Sequence, residues 1–129
     1  MRFTDAQLRY LRTQPLGRLA TMAPDGGLQN NPVAFAIDDE HRIVIGGFEM
    51  GRSRKYRNAR EHPQVAFVVD DLETIDPWKP RMIEIRGTAE ALTDEDPPIE
   101  GMSREVLRIT PTWTNHFGID EPADETATA

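Results

Sequence analysis

The sequence predicts a mainly β domain in which about six antiparallel strands form a small closed or partly split barrel, with one N-terminal helix and one inserted basic helix. Short runs rich in β-branched and aromatic residues follow one another at short spacing. Turn signals such as Asp25-Gly26 separate them. Several runs alternate apolar with other residues, which is typical of strands with one buried face. A barrel also leaves few strand edges exposed.

The first element is a short helix of about ten residues that begins after Thr4. Thr4 and Gln7 have the spacing of a capping box, while Phe3 and Leu8 occupy the positions of a hydrophobic staple. Leu8 and Leu11 form one narrow apolar stripe. The start of this helix is therefore well defined by the sequence.

Three strands are expected in the first half of the chain, and they cover residues 17–23, 28–38 and 42–47. The Asp25-Gly26 turn predicts that the first two form a hairpin. Pro32 cannot donate a hydrogen bond to a neighbouring strand, so it indicates an edge or a bulge. The third strand ends in Gly46 and Gly47, which allow another group to approach the backbone closely.

The second half begins with a polar helix, for which Ser53 is a good N-cap and Pro63 is the latest possible end. The strands expected after it cover residues 64–71, 81–92 and, as one or two strands interrupted by Pro111, 105–119. We expect the first of these to be buried on both faces. Trp78 lies in a loop stiffened by Pro77 and Pro80. We expect residues 1–120 to form one split-barrel domain and the acidic tail 121–129 to be disordered.

Composition excludes several classes of function. The 129 residues include no cysteine, so disulfides and thiolate chemistry are excluded, and a cytoplasmic location fits. No apolar run approaches the length of a membrane span, and a net charge of −7 argues against general nucleic-acid binding. His41, His62 and His116 have no metal-site spacing, and the first two are expected at the surface. Without a catalytic triad or metal, an enzyme of this sequence needs a cofactor.

The positive charge of this acidic chain is concentrated in residues 51–60, here called the basic segment. Five of the 15 basic residues lie within it. Its first residues, around Ser53, start the polar helix, where free N–H groups and the helix dipole favour an anion. Arg and Lys side chains there suit a phosphate. The alternative is a solvated helix face with pairs such as Arg57 with Glu61.

The two tryptophans also allow two interpretations. Trp78 on a stiff loop could stack on the planar ring of a ligand. Trp78 and Trp113 could equally cover the core or lie in a dimer interface.

The order of motifs resembles the pyridoxamine 5′-phosphate oxidase-like split β-barrel family, which includes FMN-binding barrels. The matching stretches are LGRLATMAPDGGLQNNPVAF, RIVIGG, RSRKYRNAREHPQVAFVVDD and DPWKPRMIEIRGTAEAL. Within the family the chain is most similar to reductases that depend on the deazaflavin coenzyme F420, in the branch of the tetracycline-biosynthesis reductases. The resemblance extends from Phe3 to Asp120.

The resemblance implies a homodimer with two cofactor sites at its interface. A reduced cofactor would deliver hydride to a small-molecule acceptor, without a catalytic acid or base from the protein. The cofactor ring would lie against the strand backbone and near a glycine, with Trp78 of the partner subunit closing the pocket. The residues implied for the cofactor are Asn31, Pro32, Val33, Gly47, Arg52, Ser53, Arg54, Lys55 and Trp78.

F420 carries a phosphodiester and an oligoglutamate tail, so a segment with five basic residues favours it over FMN. Three alternatives stay open. The chain could be an FMN-binding oxidoreductase of the same fold, or a module that holds a flavin-like or haem-like ligand without turnover. A DNA-binding role for the basic segment is disfavoured by the net charge and by the lack of a helix-turn-helix pattern.

Overall fold

The computed structural model describes residues 2–119 and contains a closed barrel of six antiparallel strands with two helices. Around the barrel the strands follow the order β1–β2–β3–β6–β5–β4, and β4 pairs with β1 to close it. This confirms the predicted fold class. In chain order the elements are α1 (Asp5–Thr13), β1 (Gly17–Met22), β2 (Leu28–Ile37), β3 (Ile43–Gly46), a 3₁₀ turn (Met50–Arg52), α2 (Arg54–Glu61), β4 (Gln64–Thr74), β5 (Lys79–Leu92) and β6 (Val106–Phe117).

The start of α1 is fixed by the predicted capping box. The hydroxyl of Thr4 accepts a hydrogen bond from the Gln7 N–H at 3.1 Å, and the Gln7 side chain accepts one from the Thr4 N–H at 2.9 Å. Tyr10 and Leu11 on this helix are buried. The nine-residue helix therefore packs its apolar side onto the barrel.

The first hairpin forms as predicted. Gly26 has a φ of +88°, which a glycine adopts without strain. The Asp25 carboxylate accepts a hydrogen bond from the Gly27 N–H at 2.9 Å, which is the local bond that favours Asp in turns. The turn sets the register of β1 against β2.

The core lies inside the barrel and is made by the inward-facing residues of every strand. The rings of Phe35 and Phe67 meet edge to face at 5.2 Å between centroids. Its fully buried members include Leu19, Ile43, Ile45, Phe67, Val69, Ile83, Ile85, Leu107 and Ile109. On the outer side of the sheet, some apolar side chains such as Met22 and Trp113 stay exposed among the described residues.

Two prolines lie in strand segments that pair on one side only, or next to an irregularity in the pairing. Pro32 precedes the part of β2 that pairs with β3, so it lies at a local edge, as predicted. Pro111 also lies beyond the part of β6 that pairs with β3. It does not end the strand: β6 continues, and a register shift opposite Arg86 and Gly87 absorbs the irregularity.

The hairpin of β4 and β5 is longer than predicted. β4 continues past Asp71 to Thr74, and β5 begins at Lys79, so the expected loop shrinks to a tight turn that contains a cis Asp76–Pro77 bond. The prediction that β4 is buried on both faces is wrong, because its residues alternate between buried and more accessible. Its apolar outward residues, such as Ala66 and Val68, misled the prediction. The predicted tail lies outside the described residues.

Candidate cofactor site

The basic segment folds into the 3₁₀ turn and α2, with Ser53 as the N-cap between them. The Ser53 hydroxyl accepts a hydrogen bond from the Tyr56 N–H at 3.3 Å and donates one to the Met50 carbonyl at 2.6 Å. Capping therefore already engages this hydroxyl. Its expected contact with a phosphate stays a prediction, and such a contact would compete with the bond to Met50.

Most of the positive charge at the start of α2 is not neutralised by other residues in the range 2–119. Within residues 2–119, Arg54, Lys55 and Arg57 form no ion pair. The pair of Arg57 with Glu61, which belonged to the alternative of a solvated helix face, is therefore not formed. Arg52 lies 3.4 Å from the Glu49 carboxylate, but both side chains are largely exposed and such a pair is weak. The site is therefore electropositive at this point of an acidic protein.

Backbone donors add to these charges. In the first turn of α2 the Tyr56 N–H is bonded to Ser53 Oγ and the Arg57 N–H to the Ser53 carbonyl. The N–H groups of Arg54 and Lys55 have no acceptor in the described part of the chain. Two amides, two side-chain cations and the positive end of the helix dipole are the donor set that a phosphate requires. The residues present thus fit the anionic end of a cofactor.

Asn58 fixes α2 on the barrel, and sequence reasoning missed it. Its side-chain amide is buried and donates to Thr21 Oγ1 at 3.1 Å and to Gln29 Oε1 at 3.0 Å. The Gln29 amide in turn donates to Asn31 Oδ1 at 2.7 Å. This chain of bonds links α2 with the strand implied for the cofactor ring. The available signal was an asparagine inside a helix, where it is unfavourable unless its side chain is bonded.

The three residues predicted on β2 do not share a face. Asn31 and Val33 pair with Leu19 and Gly17 and lie on the inward side, whereas Pro32 lies exposed on the outer side. A ring placed here could contact all three only through the backbone, as the resemblance implied. That contact stays a prediction.

The close approach predicted at the two glycines is made by the chain itself. A Cβ atom built on Gly46 would lie 2.6 Å from Pro98 Cδ, so a side chain there would collide with the loop of residues 93–105. The Gly47 carbonyl accepts hydrogen bonds from Ser103 N and Ser103 Oγ, each at 3.0 Å. Gly47 stays a predicted cofactor neighbour, but its carbonyl already has partners.

Trp78 lies far from the basic segment within one subunit. It is 67% exposed and stands at the turn between β4 and β5. β4 follows α2 directly and extends for 11 residues, which corresponds to roughly 30 Å along the strand. A single subunit therefore does not bring Trp78 and α2 together, and a shared site would need Trp78 from a second copy.

A second network of polar side chains, which are partly buried, joins α1 to β4 and β5. The Tyr10 hydroxyl donates to Asp71 at 3.0 Å, and Arg81 donates to the same carboxylate. The bonds from Arg81 hold the pKa of Asp71 below its usual range, while burial and Asp71 raise the pKa of Tyr10. A cavity of about 280 Å³ adjoins this network. The network explains how β5 and α1 are tied together.

His41 contradicts the prediction of a surface residue. Its ring is buried, stacks on Phe3 with 5.8 Å between centroids, and accepts a hydrogen bond from the Phe3 N–H at 2.8 Å. The left-handed backbone of this turn aims the ring inward. Among the described residues no cluster of His, Asp or Glu could hold a metal ion, and no helix there is long and apolar enough to span a membrane.

The sequence pattern described as pyridoxamine 5′-phosphate oxidase matches residues 3–125, almost the whole chain. The chain belongs to the pyridoxamine 5′-phosphate oxidase family. The family implied by the sequence motifs is thereby confirmed.

One reductase and two solved structures are similar to the chain. A 5a,11a-dehydrotetracycline/5a,11a-dehydrooxytetracycline reductase of Streptomyces rimosus is 44% identical over 127 residues, which covers 93% of this chain and 86% of the reductase. A solved F420 reductase is 26% identical, covers 79% of this chain and 90% of its own, and has a TM-score of 0.60. A conserved hypothetical protein of Mycobacterium tuberculosis shares the fold, with 23% identity, coverage of 90% and 85%, and a TM-score of 0.72.

Proposed function

We propose that this chain is an F420-dependent oxidoreductase that transfers a hydride between the reduced deazaflavin and an unsaturated or carbonyl-type organic acceptor. The oxidoreductase class rests on the 44% identity to a reductase over nearly the full length of both chains. The choice of F420 over FMN rests on the concentration of charge in the basic segment: it holds five basic residues, and Arg54, Lys55 and Arg57 form no ion pair within residues 2–119. Such a concentration suits a polyanion better than a single phosphate. An F420 reductase among the similar structures agrees with this choice.

The protein contributes binding and orientation, and the reduced deazaflavin supplies the hydride. Arg54 and Lys55 hold the anionic part by charge and by their backbone N–H groups. The network through Asn58, Gln29 and Asn31 keeps α2 at a fixed distance from β2. A rigid relation between these two elements aligns the ring with an acceptor, which is how orientation accelerates a transfer step.

The proposal includes a homodimer in which Trp78 of each subunit reaches the other subunit's site. The outer face of the sheet offers a surface for a second copy. Ala20 and Ala66 pair across β1 and β4 and form a shallow floor. Apolar side chains stay exposed around it: Met22, Leu28 and Trp113. Such an exposed apolar surface on a small protein favours an interface.

Replacing Arg54 and Lys55 together with glutamine tests the site. Two charge-assisted contacts to a phosphate are lost, and each contributes about 1.5–3 kcal/mol, so affinity for F420 is expected to fall about 100-fold or more. Fluorescence titration of F420 measures this. The thermal unfolding midpoint should stay near the wild-type value, because both side chains lie outside the core.

The matched control is the double variant Arg9→Gln/Arg12→Gln. Both residues are exposed on α1, so this variant changes the net charge equally at a distance from α2. It should bind F420 nearly as the wild type does. Unchanged affinity in the Arg54/Lys55 variant, or an equal loss in both variants, would refute the assignment of the anion site.

An FMN-binding oxidoreductase is the second candidate, because the donor set at α2 would also accept a single phosphate. It predicts a yellow protein when the chain is produced in a host without F420. A colourless preparation that does not take up added FMN argues against it.

A module without turnover would bind F420 but reduce no acceptor in a broad panel.

A further inference from the structure

The loop of residues 93–105 packs against the turn of residues 46–51, which connects β3 with the basic segment. At one side of the turn, Pro98 packs against Gly46 so closely that a Cβ atom on the glycine would lie 2.6 Å from Pro98 Cδ. At the other side, a Cβ atom on Gly51 would lie 2.9 Å from Glu105 Cδ. Since real Cβ atoms do not approach carbon so closely, the loop contacts the turn at both ends.

Ser103 joins this loop to the turn by three hydrogen bonds. Its N–H and its hydroxyl both donate to the Gly47 carbonyl at 3.0 Å. The same hydroxyl oxygen accepts a hydrogen bond from the Met50 N–H at 3.1 Å. One side-chain oxygen thus bridges the carbonyl and the amide that flank residues 48 and 49.

Met50 links Ser103 to the start of α2. Its side chain is buried at 1% exposure, which fixes the residue in the core. Its carbonyl accepts hydrogen bonds from Ser53 N at 3.0 Å and from Ser53 Oγ at 2.6 Å. Ser53 Oγ then accepts from the Tyr56 N–H at 3.3 Å. A continuous series of bonds therefore connects Ser103 with the first turn of the basic helix.

We propose that Ser103 is a positioning residue for the cofactor site: through Met50 and Ser53 it sets where α2 begins. The amides and charges of Arg54 and Lys55 depend on that position, since an anion is bound well only by donors that converge on it. The inference rests on the proposed function for its ligand. Ser103 lies in the loop of residues 93–105, which contains none of the residues that the sequence motifs implied for cofactor binding.

The first test compares three single variants by F420 titration. Ser103→Ala removes the bridging hydroxyl and should lower affinity about five- to tenfold, the effect of losing one or two hydrogen bonds. Ser103→Thr keeps a hydroxyl at the same place and should restore most of the affinity. Arg104→Gln is the control on the same loop, because it breaks the exposed pairs with Asp94 and Asp96 without touching the turn.

The second test needs no ligand. Amide hydrogen exchange of the protein alone should become about five- to tenfold faster in Ser103→Ala at the hydrogen-bonded amides of Met50, Ser53 and Tyr56. Exchange in the strands of the barrel should stay unchanged. This readout follows the position of α2 directly and is independent of whether F420 is the cofactor.

Three results would overturn the inference: wild-type affinity in Ser103→Ala, an equal loss in Arg104→Gln, or unchanged exchange at the amides of Met50, Ser53 and Tyr56. The first two would mean that the hydroxyl does not position the site. If the wild type binds neither F420 nor FMN, the proposed function fails. The exchange experiment then still decides whether Ser103 positions α2.

Discussion

At the scale of single residues, we expect His41 to make the stability of the protein depend on pH. Burial, with Arg2 and Arg12 nearby, lowers the pKa of His41, while Asp38 opposes the shift. The folded protein therefore binds a proton at this ring less readily than the unfolded chain, whose histidine pKa is about 6.5. The contribution of His41 to the free energy of unfolding is fully present above that pH and declines as the pH falls below it.

The variant His41→Asn isolates this effect, because Asn tolerates the left-handed backbone and does not titrate. The difference in free energy of unfolding between wild type and variant should shrink as the pH falls from about 7 to 5. Urea unfolding at several pH values measures it. A difference that stays constant over this range would show that protonation of His41 is not coupled to folding.

Sequence reasoning at this scale found the residues with a local signature and missed those with a distant partner. Thr4 with Gln7, and Ser53 as an N-cap, were predictable because their partners lie within one helical turn. His41 and Asn58 were not. Their partners, Phe3 and Thr21, lie 38 and 37 residues away, and no pattern in one sequence connects such positions.

At the scale of elements, the register shift between β5 and β6 depends on a glycine. A Cβ atom at Gly87 would lie 2.5 Å from the Thr110 carbonyl oxygen, which belongs to a strand backbone and cannot move easily. Gly87→Ala should therefore lower the free energy of unfolding by about 1–3 kcal/mol. Chemical denaturation measures the loss.

Gly47→Ala is the comparison for stability alone. A Cβ atom there would meet its nearest neighbour, Met50, at 3.7 Å, which is ordinary contact. Its stability should stay within about 0.5 kcal/mol of the wild type. Equal stability of the two variants would mean that the close approach at Gly87 does not constrain the β5–β6 pairing.

The elements themselves were largely predictable, and the errors lie where tertiary pairing overrides local signals. Pro77 and Pro80 indicated a long loop. However, Thr74 pairs with Lys79, so strand pairing continues on both sides up to a short turn. Pro111 indicated a break, yet β6 continues because its pairing with β5 resumes after the register shift. The alternating runs were predicted correctly because one buried face imposes a period of two.

At the scale of the whole molecule, the proposed homodimer predicts a site shared between two subunits, because Trp78 and α2 lie apart within one chain. Trp78→Ala and Arg54→Gln/Lys55→Gln should each impair binding when alone. In a mixed dimer, one site combines the intact α2 of one subunit with the intact Trp78 of the other. Random mixing of the two variants should therefore restore about a quarter of the wild-type sites.

Refolding the two variants together and titrating F420 measures this complementation. Each variant refolded alone is the control and should show no recovery. If the mixture binds no more than the separate variants while sedimentation shows mixed dimers, Trp78 and α2 do not share a site across subunits. A monomer in sedimentation would contradict the dimer directly.

The central claim is that the basic helix start holds the anionic part of F420. The most direct measurement is a fluorescence titration of the purified protein with F420, with FMN as competitor, at low and at physiological salt. We predict saturable F420 binding that FMN does not displace and that weakens as salt rises. Preference for FMN would keep the fold and the site but contradict the deazaflavin. Binding of neither would leave the basic segment as a solvated helix face and contradict the account.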